Sequence, residues 1–183
     1  MPGSSDVLDL VLQDLLRSSP CRSMLDLGAG MGKYGRMMRT VRPEVKTTAI
    51  EVVADYITQF DLLNIYDDVR YMNMLDLMLD VDALYDLVII GDAIEHLRKS
   101  NGVDLLQFLL IRSFEVLVVY PSPRLGFFQG TTSWGHHEEA HISLWDDTDF
   151  VMYSCVMHRD PDDSMRAVLI QGYREGRGLN QTM

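Results

Sequence analysis

In the stretch LDLGAGMGKYG an aspartate, Asp26, stands just ahead of three glycines, Gly28, Gly30 and Gly32. Glycines at such places let the main chain turn sharply and let a ligand approach without Cβ interference, and a helix starting behind them offers unpaired N–H donors. Nineteen residues beyond Gly32 stands Glu51, an acid of the kind that accepts both hydroxyls of a ribose. A carboxylate beside the turn repels a diphosphate and attracts a sulfonium or ammonium. The implied chemistry is recognition of a cationic, nucleoside-like ligand. Each acid also has a plainer reading: Asp26 can bond amides of its own turn, and Glu51 can be a solvated strand end.

Two histidine-bearing segments add candidates. In GDAIEHL, Asp92 and Glu95 follow an apolar run and either face a ligand or cap the next helix, while His96 reads as a general base, a contact that orients a cofactor, or a packed helix residue. In WGHHEEAHISLW, residues 137–141 satisfy HExxH, the pattern by which two histidines bind zinc. That chemistry needs a helix to bring the i and i+4 imidazoles onto one face, and a third ligand. Gly135 before the match and the β-branched, aromatic ISLW after it predict extended chain, and Leu144 and Asp147 stand where the longer metzincin pattern needs Gly and His. No metal is expected. His141 is instead a candidate base, or an anchor for its segment.

The elements that must position these residues alternate. SDVLDLVLQDLLRS, residues 5–18, spaces its apolar residues as a helix with Ser4 or Ser5 as N-cap, within an N-terminal helical region 1–20. SMLDL, KTTAIEVV, VRYMNML, YDLVIIGD and FEVLVVYPSP read as strands, separated by helical stretches that include ADYITQFDLLNIY and AIEHLRKSNGVDLLQFLLIRS, the latter expected to break near Asn101-Gly102. Strand–helix alternation implies right-handed crossovers and a parallel sheet with helices on both faces. After a short helix in DDTDFVMYS, the strands CVMHR and MRAVLIQGY flank the short polar turn DPDDS, so they must be antiparallel. The tail REGRGLNQTM is expected to fray. Residues 121–145 form a connection of 25 residues, the length of a lid, with Phe127, Phe128, Trp134 and Trp145 to exclude water and His136, His137, Glu138, Glu139 and His141 to bind or deprotonate an acceptor.

Composition bounds the reading. With 183 residues and 47% apolar content, the chain fits a single domain, 1–183, with a real core. The formal charge of −11 disfavours nucleic acid as a partner. No apolar run suits a membrane span and the start is acidic, so a cytoplasmic location is expected. Cys21 and Cys155 lack CxxC spacing and read as reduced core residues, and Met37, Met38, Met72, Met74 and Met78 as core filler.

Taken in order, LDLGAGMG, TAIEV and YDLVIIGDAIEHL resemble the first, second and fourth-strand motifs of the class I S-adenosylmethionine-dependent methyltransferases, in their small-molecule and lipid-tailoring branch, over about residues 20 to 120. The resemblance implies a Rossmann-like, doubly wound α/β sheet of seven strands, mostly parallel, with a C-terminal antiparallel hairpin. It implies S-adenosyl-L-methionine as cofactor, with Asp26 and the backbone of Gly28 to Gly32 at its methionine part, Glu51 at its ribose, Asp92 beside it, and Asp76, Asn73 or backbone alone at its adenine. EAHISLW is similar to a His-Ser-x-Trp pattern of related methyltransferases, which favours His141 as the placed residue; for a hydroxyl acceptor the catalytic base is His141 or His96. Methyl transfer to an oxygen or nitrogen of a small-molecule acceptor follows, and the absence of an NPPY-type sequence after strand four speaks against exocyclic base amines. The short N-terminal region leaves room for a bulky acceptor or a homodimer partner. Two rivals stand beside this reading: a cofactor-binding but non-catalytic partner subunit, and an NAD-binding oxidoreductase, because Gly30, Gly32 and Gly35 also spell GxGxxG.

Overall fold

A computed structural model describes residues 5–125 and 136–174. Seven strands form one sheet: β1 (Ser23–Leu27), β2 (Lys46–Glu51), β3 (Asp68–Tyr71), β4 (Tyr85–Gly91), β5 (Ser113–Pro121), β6 (Cys155–Arg159) and β7 (Met165–Gln171). Their order is β3-β2-β1-β4-β5-β7-β6. The first five are parallel, and β7 runs antiparallel between β5 and β6. The expected hairpin is therefore present, and its second strand, not its first, docks on the parallel sheet. Strand order reverses between β1 and β4, which opens a crevice at their carboxyl ends.

The period of two along each strand sends alternate residues to two cores. Leu25, Leu27, Ile50, Val88, Ile90, Val116 and Val118 face α5 (Lys99–Arg112), which buries Leu105, Leu106, Leu109 and Leu110 against them. Met24, Ala49, Leu87, Ile89, Leu117 and Val119 face the other way, toward α1 (Asp9–Ser18) with Leu12 and Leu16, and α2 (Lys33–Val41) with Met38. Between β2 and β3 the chain makes α3 (Ala54–Gln59) and α4 (Leu62–Ile65), parted at Asp61, whose φ of 55° ends the first helix. No helix among the described residues is long and apolar enough to cross a membrane.

Several local expectations need correction. α1 begins at Asp9 without a side-chain cap, because Lys33 Nζ draws the preceding turn inward: it donates to the Ser5 carbonyl at 2.6 Å and pairs with Asp9 at 2.6 Å. α5 runs unbroken through Asn101-Gly102, and the interruption falls earlier, at Leu97-Arg98. Gly102 is in that helix for packing, since a Cβ there would lie 2.5 Å from Cζ2 of Trp145. Trp145 itself is buried in the core beside Phe150, so it does not line a lid. Of the other proposed lid aromatics, Phe127, Phe128 and Trp134 lie outside the described residues. Cys155 is half-buried, whereas Cys21 is fully buried. Arg174, the first residue of the expected fraying tail, donates to the Tyr85 carbonyl at 2.8 Å and to Asp86 at 3.0 Å; residues 175–183 are outside the description.

Candidate active site

The carboxyl ends of β1, β2 and β4 open into a cleft of about 440 Å³, lined by Gly28, Gly30, Glu51, Asn73, Asp92 and His141 among others. Its floor is the turn between β1 and α2. Gly28, Gly30 and Gly32 all have positive φ, 74°, 50° and 77°, which side-chain-bearing residues rarely adopt. Only the first two face the cleft. Gly32 precedes α2 and packs on α4, where a Cβ would come within 2.8 Å of Ile65 Cδ1. At the end of β4, Gly91 leaves space filled by the Tyr34 ring, a requirement the sequence did not announce.

Glu51 closes one side. It is 3% exposed, and its two carboxylate oxygens accept from the Gly30 amide at 2.7 Å and the Val53 amide at 2.8 Å. Each oxygen retains a second lone pair for a ligand hydroxyl. Burial raises its pKa, and the Val53 and Gly30 amides oppose that rise.

Asp26 lies elsewhere. Strand alternation puts it on the row of Met24, between Ala49 and Ile89, fully buried and off the cleft wall. Its Oδ2 accepts from the Tyr66 hydroxyl at 2.5 Å, and that oxygen in turn accepts the Gly35 amide at 3.1 Å. Burial pushes Asp26 up to about 7, with the Tyr66 bond lowering it and the Glu51 charge raising it. Asp26 thus supports the turn from below through Tyr66 and α2, and does not line the cleft. Asp76 is also displaced: it is exposed on the 3₁₀ stretch Met74–Leu79, while Asn73 and Met74 line the cleft at the end of β3.

Opposite the glycine turn stand Asp92, Glu95, His96 and His141. Asp92 has φ 47° and lines the cleft. Glu95 follows in the 3₁₀ turn Ile94–His96 and is 2% exposed, yet neither carboxylate oxygen has a hydrogen-bond partner among the described residues. Burial first, and then the Asp92 charge, hold its carboxyl well above the usual range. The helix-cap reading of Glu95 fails on that geometry. His96 Nδ1 lies 3.1 Å from the Ala140 carbonyl, so that nitrogen carries the proton and donates.

His141 arrives from the other side of the 121–145 connection. The amides of Ile142 and Ser143 donate to the Glu95 carbonyl at 2.9 and 3.1 Å, and Trp145 Nε1 donates to Ser143 Oγ at 2.9 Å. This return segment is sewn to the turn after β4, which sets the His141 ring edge-on to His96, centroids 4.9 Å apart, and its Nε2 4.0 Å from Glu95. Burial, and then His96, lower the His141 pKa. His137, the other histidine of the HExxH match, is 91% exposed and sits beside Glu138 at 3.2 Å. The match folds as one 3₁₀ turn, His137–Glu139, followed by extended chain. Its two histidines therefore separate, and His141 is drawn to Glu95 and His96. The sequence signal for that trio was the adjacent acid and imidazole of GDAIEHL, which spacing alone did not connect to His141.

The charge of the cleft is one-sided. Among the described residues Glu51, Asp92, Glu95, Glu138 and Glu139 line it, against the single ammonium of Lys33, which is itself paired with Asp6 and Asp9. Such a wall favours a cationic ligand and disfavours a diphosphate.

No protein-family model and no curated protein matches the sequence. Solved structures do resemble it. An O-methyltransferase family protein from Burkholderia thailandensis superposes with a TM-score of 0.63 at 12% identity, over 93% of this chain and 58% of that one, so this chain spans less than two thirds of that protein. The N-terminal domain of EvdMO1 with S-adenosylhomocysteine (SAH) bound gives 0.66 at 13% identity, over 92% of this chain and 82% of the other. A SAM-dependent methyltransferase from Archaeoglobus fulgidus gives 0.66 at 12%, over 92% and 95%. The chain shares the Rossmann-like fold of these methyltransferase structures.

Proposed function

We propose that the protein binds S-adenosylmethionine in the cleft above the Gly28–Gly30 turn and transfers its methyl group to an oxygen or nitrogen of a small molecule. The observation that carries this reading is the pairing of a bare-backbone turn with Glu51 on the neighbouring strand, in a cleft walled by carboxylates. Bound there, the cofactor supplies an electrophilic methyl on a positively charged sulfur. Gly28 and Gly30 let its amino-acid part lie against the main chain, Glu51 accepts from the ribose hydroxyls, and Asn73 and Met74 border the adenine. Asp92, Glu95, His96 and His141 face the acceptor side. In-line transfer is mostly a matter of alignment and exclusion of water, and the surrounding carboxylates favour the cationic donor over its neutral product. The solved EvdMO1 domain holds SAH, in keeping with this assignment.

Calorimetry with SAM, SAH and NADH tests it. Micromolar binding of SAH, with none of NADH, is expected; binding of NADH without SAH overturns it and favours a dinucleotide enzyme.

A further inference from the structure

The acceptor end of the cleft holds a buried carboxylate. Glu95 is almost fully buried, its oxygens have no hydrogen-bond partner among the described residues, and it opens toward two imidazoles. An unpaired buried carboxylate is costly, and such groups either stay neutral or meet a cation. Among the described residues no lysine or arginine does this: Lys33 is the one such side chain of these on the cleft wall, and it is held by Asp6 and Asp9.

We propose that Glu95, His96 and His141 bind a divalent first-row transition-metal ion at the acceptor end of the cleft. One ligand atom from each lies within 4.8 Å of the others. Bonds of about 2.1 Å draw cis ligands to about 3–3.5 Å apart, so small rotations of three side chains close the site. His96 is already set for it: the Nδ1 proton given to the Ala140 carbonyl leaves the Nε2 lone pair for a metal, and this carbonyl orients the ring as outer partners of metal-bound histidines do. His141 is set by the two amide bonds to Glu95's own carbonyl, so two ligands are tied to one another through main chain. Two imidazoles and one carboxylate suit Mn(II), Fe(II), Co(II) or Zn(II) better than Mg(II) or Ca(II), which prefer all-oxygen sets. Asp92, whose charge bears on Glu95, adds to the negative field that recruits the ion.

Three protein ligands on one side of an open cleft leave coordination positions for substrate. Resting on the methyltransferase reading, the ion takes the acceptor through oxygen, so the acceptor is a hydroxyl compound, best one with a second adjacent oxygen to chelate. The metal lowers the hydroxyl pKa and its proton passes to water. The oxygen lone pair forms the new O–C bond as the S–C bond breaks toward sulfur, giving a methyl ether and a neutral thioether.

The test uses the full chain, stripped with a chelator and titrated with Co(II), read by visible absorption, and separately with SAH by calorimetry. Expected are one Co(II) per chain, d–d bands of low-coordinate nitrogen and oxygen ligation, and affinity weakened at least about tenfold in each of Glu95→Gln, His96→Ala and His141→Ala, whose melting curves confirm folding. Acetohydroxamate, a bidentate oxygen probe, is expected to shift the bands. Co(II) that binds wild type no more tightly than these variants overturns the site even if SAH binds. Co(II) binding without SAH leaves the site and removes the methyl-transfer reading. Bands unmoved by acetohydroxamate overturn the acceptor role, marking a closed structural ion. Should all three variants unfold, His137→Ala serves as the folded control and His141→Asn as a milder removal of a ligand; equal Co(II) affinity in His141→Asn and wild type overturns the site.

Discussion

The phenol of Tyr66 donates to Asp26 at 2.5 Å, and neither group lines the cleft. The acid that precedes the glycines is therefore a buried, titrating support. An unfolded aspartate titrates near about 3.9, and the folded one near about 7, through burial first. Between those values the unfolded chain releases a proton that the folded chain keeps, so stability falls as pH rises from about 4 to about 7 and levels off above. The contribution is on the order of a few kcal/mol. Asp26→Asn is expected to flatten this part of the slope in melting temperatures recorded without ligand, while SAH affinity at pH 8 changes little. A slope as steep as wild type contradicts Asp26 as the titrating group.

Glu51 behaves differently because it serves both turn and ligand. Removing its carboxylate in Glu51→Ala leaves the Gly30 and Val53 amides without acceptors. Each costs about 1–3 kcal/mol if it stays buried and unpaired. Melting temperature is expected to fall and SAH affinity to drop by at least about tenfold, in the manner of a lost charge-assisted pair. A variant that melts lower but binds SAH as wild type does would confine Glu51 to holding the turn.

What the sequence disclosed, and what it withheld, divides along physical lines. The strands, their parallel order and the closing hairpin were legible because apolar period and turn length are local properties. Glu51 and the ends of β1 and β4 were legible because a parallel sheet puts strand ends at one edge. The partner of Asp26 was not, since Tyr66 lies forty residues away, just after α4, where no local pattern sets its direction. Gly102 suggested a helix break because its cause, the Trp145 ring, comes from a distant segment. Sequence alone does not separate Asp76 from Asn73; the 3₁₀ stretch after β3 turns Asp76 to solvent and leaves Asn73 on the cleft wall. The grouping of Glu95 and His96 with His141 was hidden for the same reason: main-chain bonds across more than forty residues create it.

Two glycines of the turn separate ligand contact from packing. Gly28→Ala forces a side chain to φ 74° and sets a Cβ 2.9 Å from that of Ala93 on the cleft wall. Gly32→Ala strains φ 77° but meets Ile65 and Leu62 beneath α2. Both are expected to lose about 1–3 kcal/mol of stability. In calorimetry Gly28→Ala loses SAH binding, whereas folded Gly32→Ala keeps it within a few-fold. Equal losses of affinity contradict the division.

Trp145 ties the return segment to the body. Its indole fills the gap at Gly102, carries Lys99 Nζ 3.9 Å above its ring and donates to Ser143 Oγ at 2.9 Å. In Trp145→Phe the smaller ring leaves part of the gap empty and Ser143 loses its donor, a cost of about 1–3 kcal/mol. The nucleoside end of the cleft is built from β1, β2 and β3 and does not depend on that anchor, but His141 does, four residues upstream. SAH affinity is accordingly expected to stay within a few-fold of wild type while Co(II) affinity falls at least about fivefold, toward that of a weakened outer partner. Parallel loss of both would mean that the anchor supports the whole cleft, and retention of both that His141 holds its place without the indole.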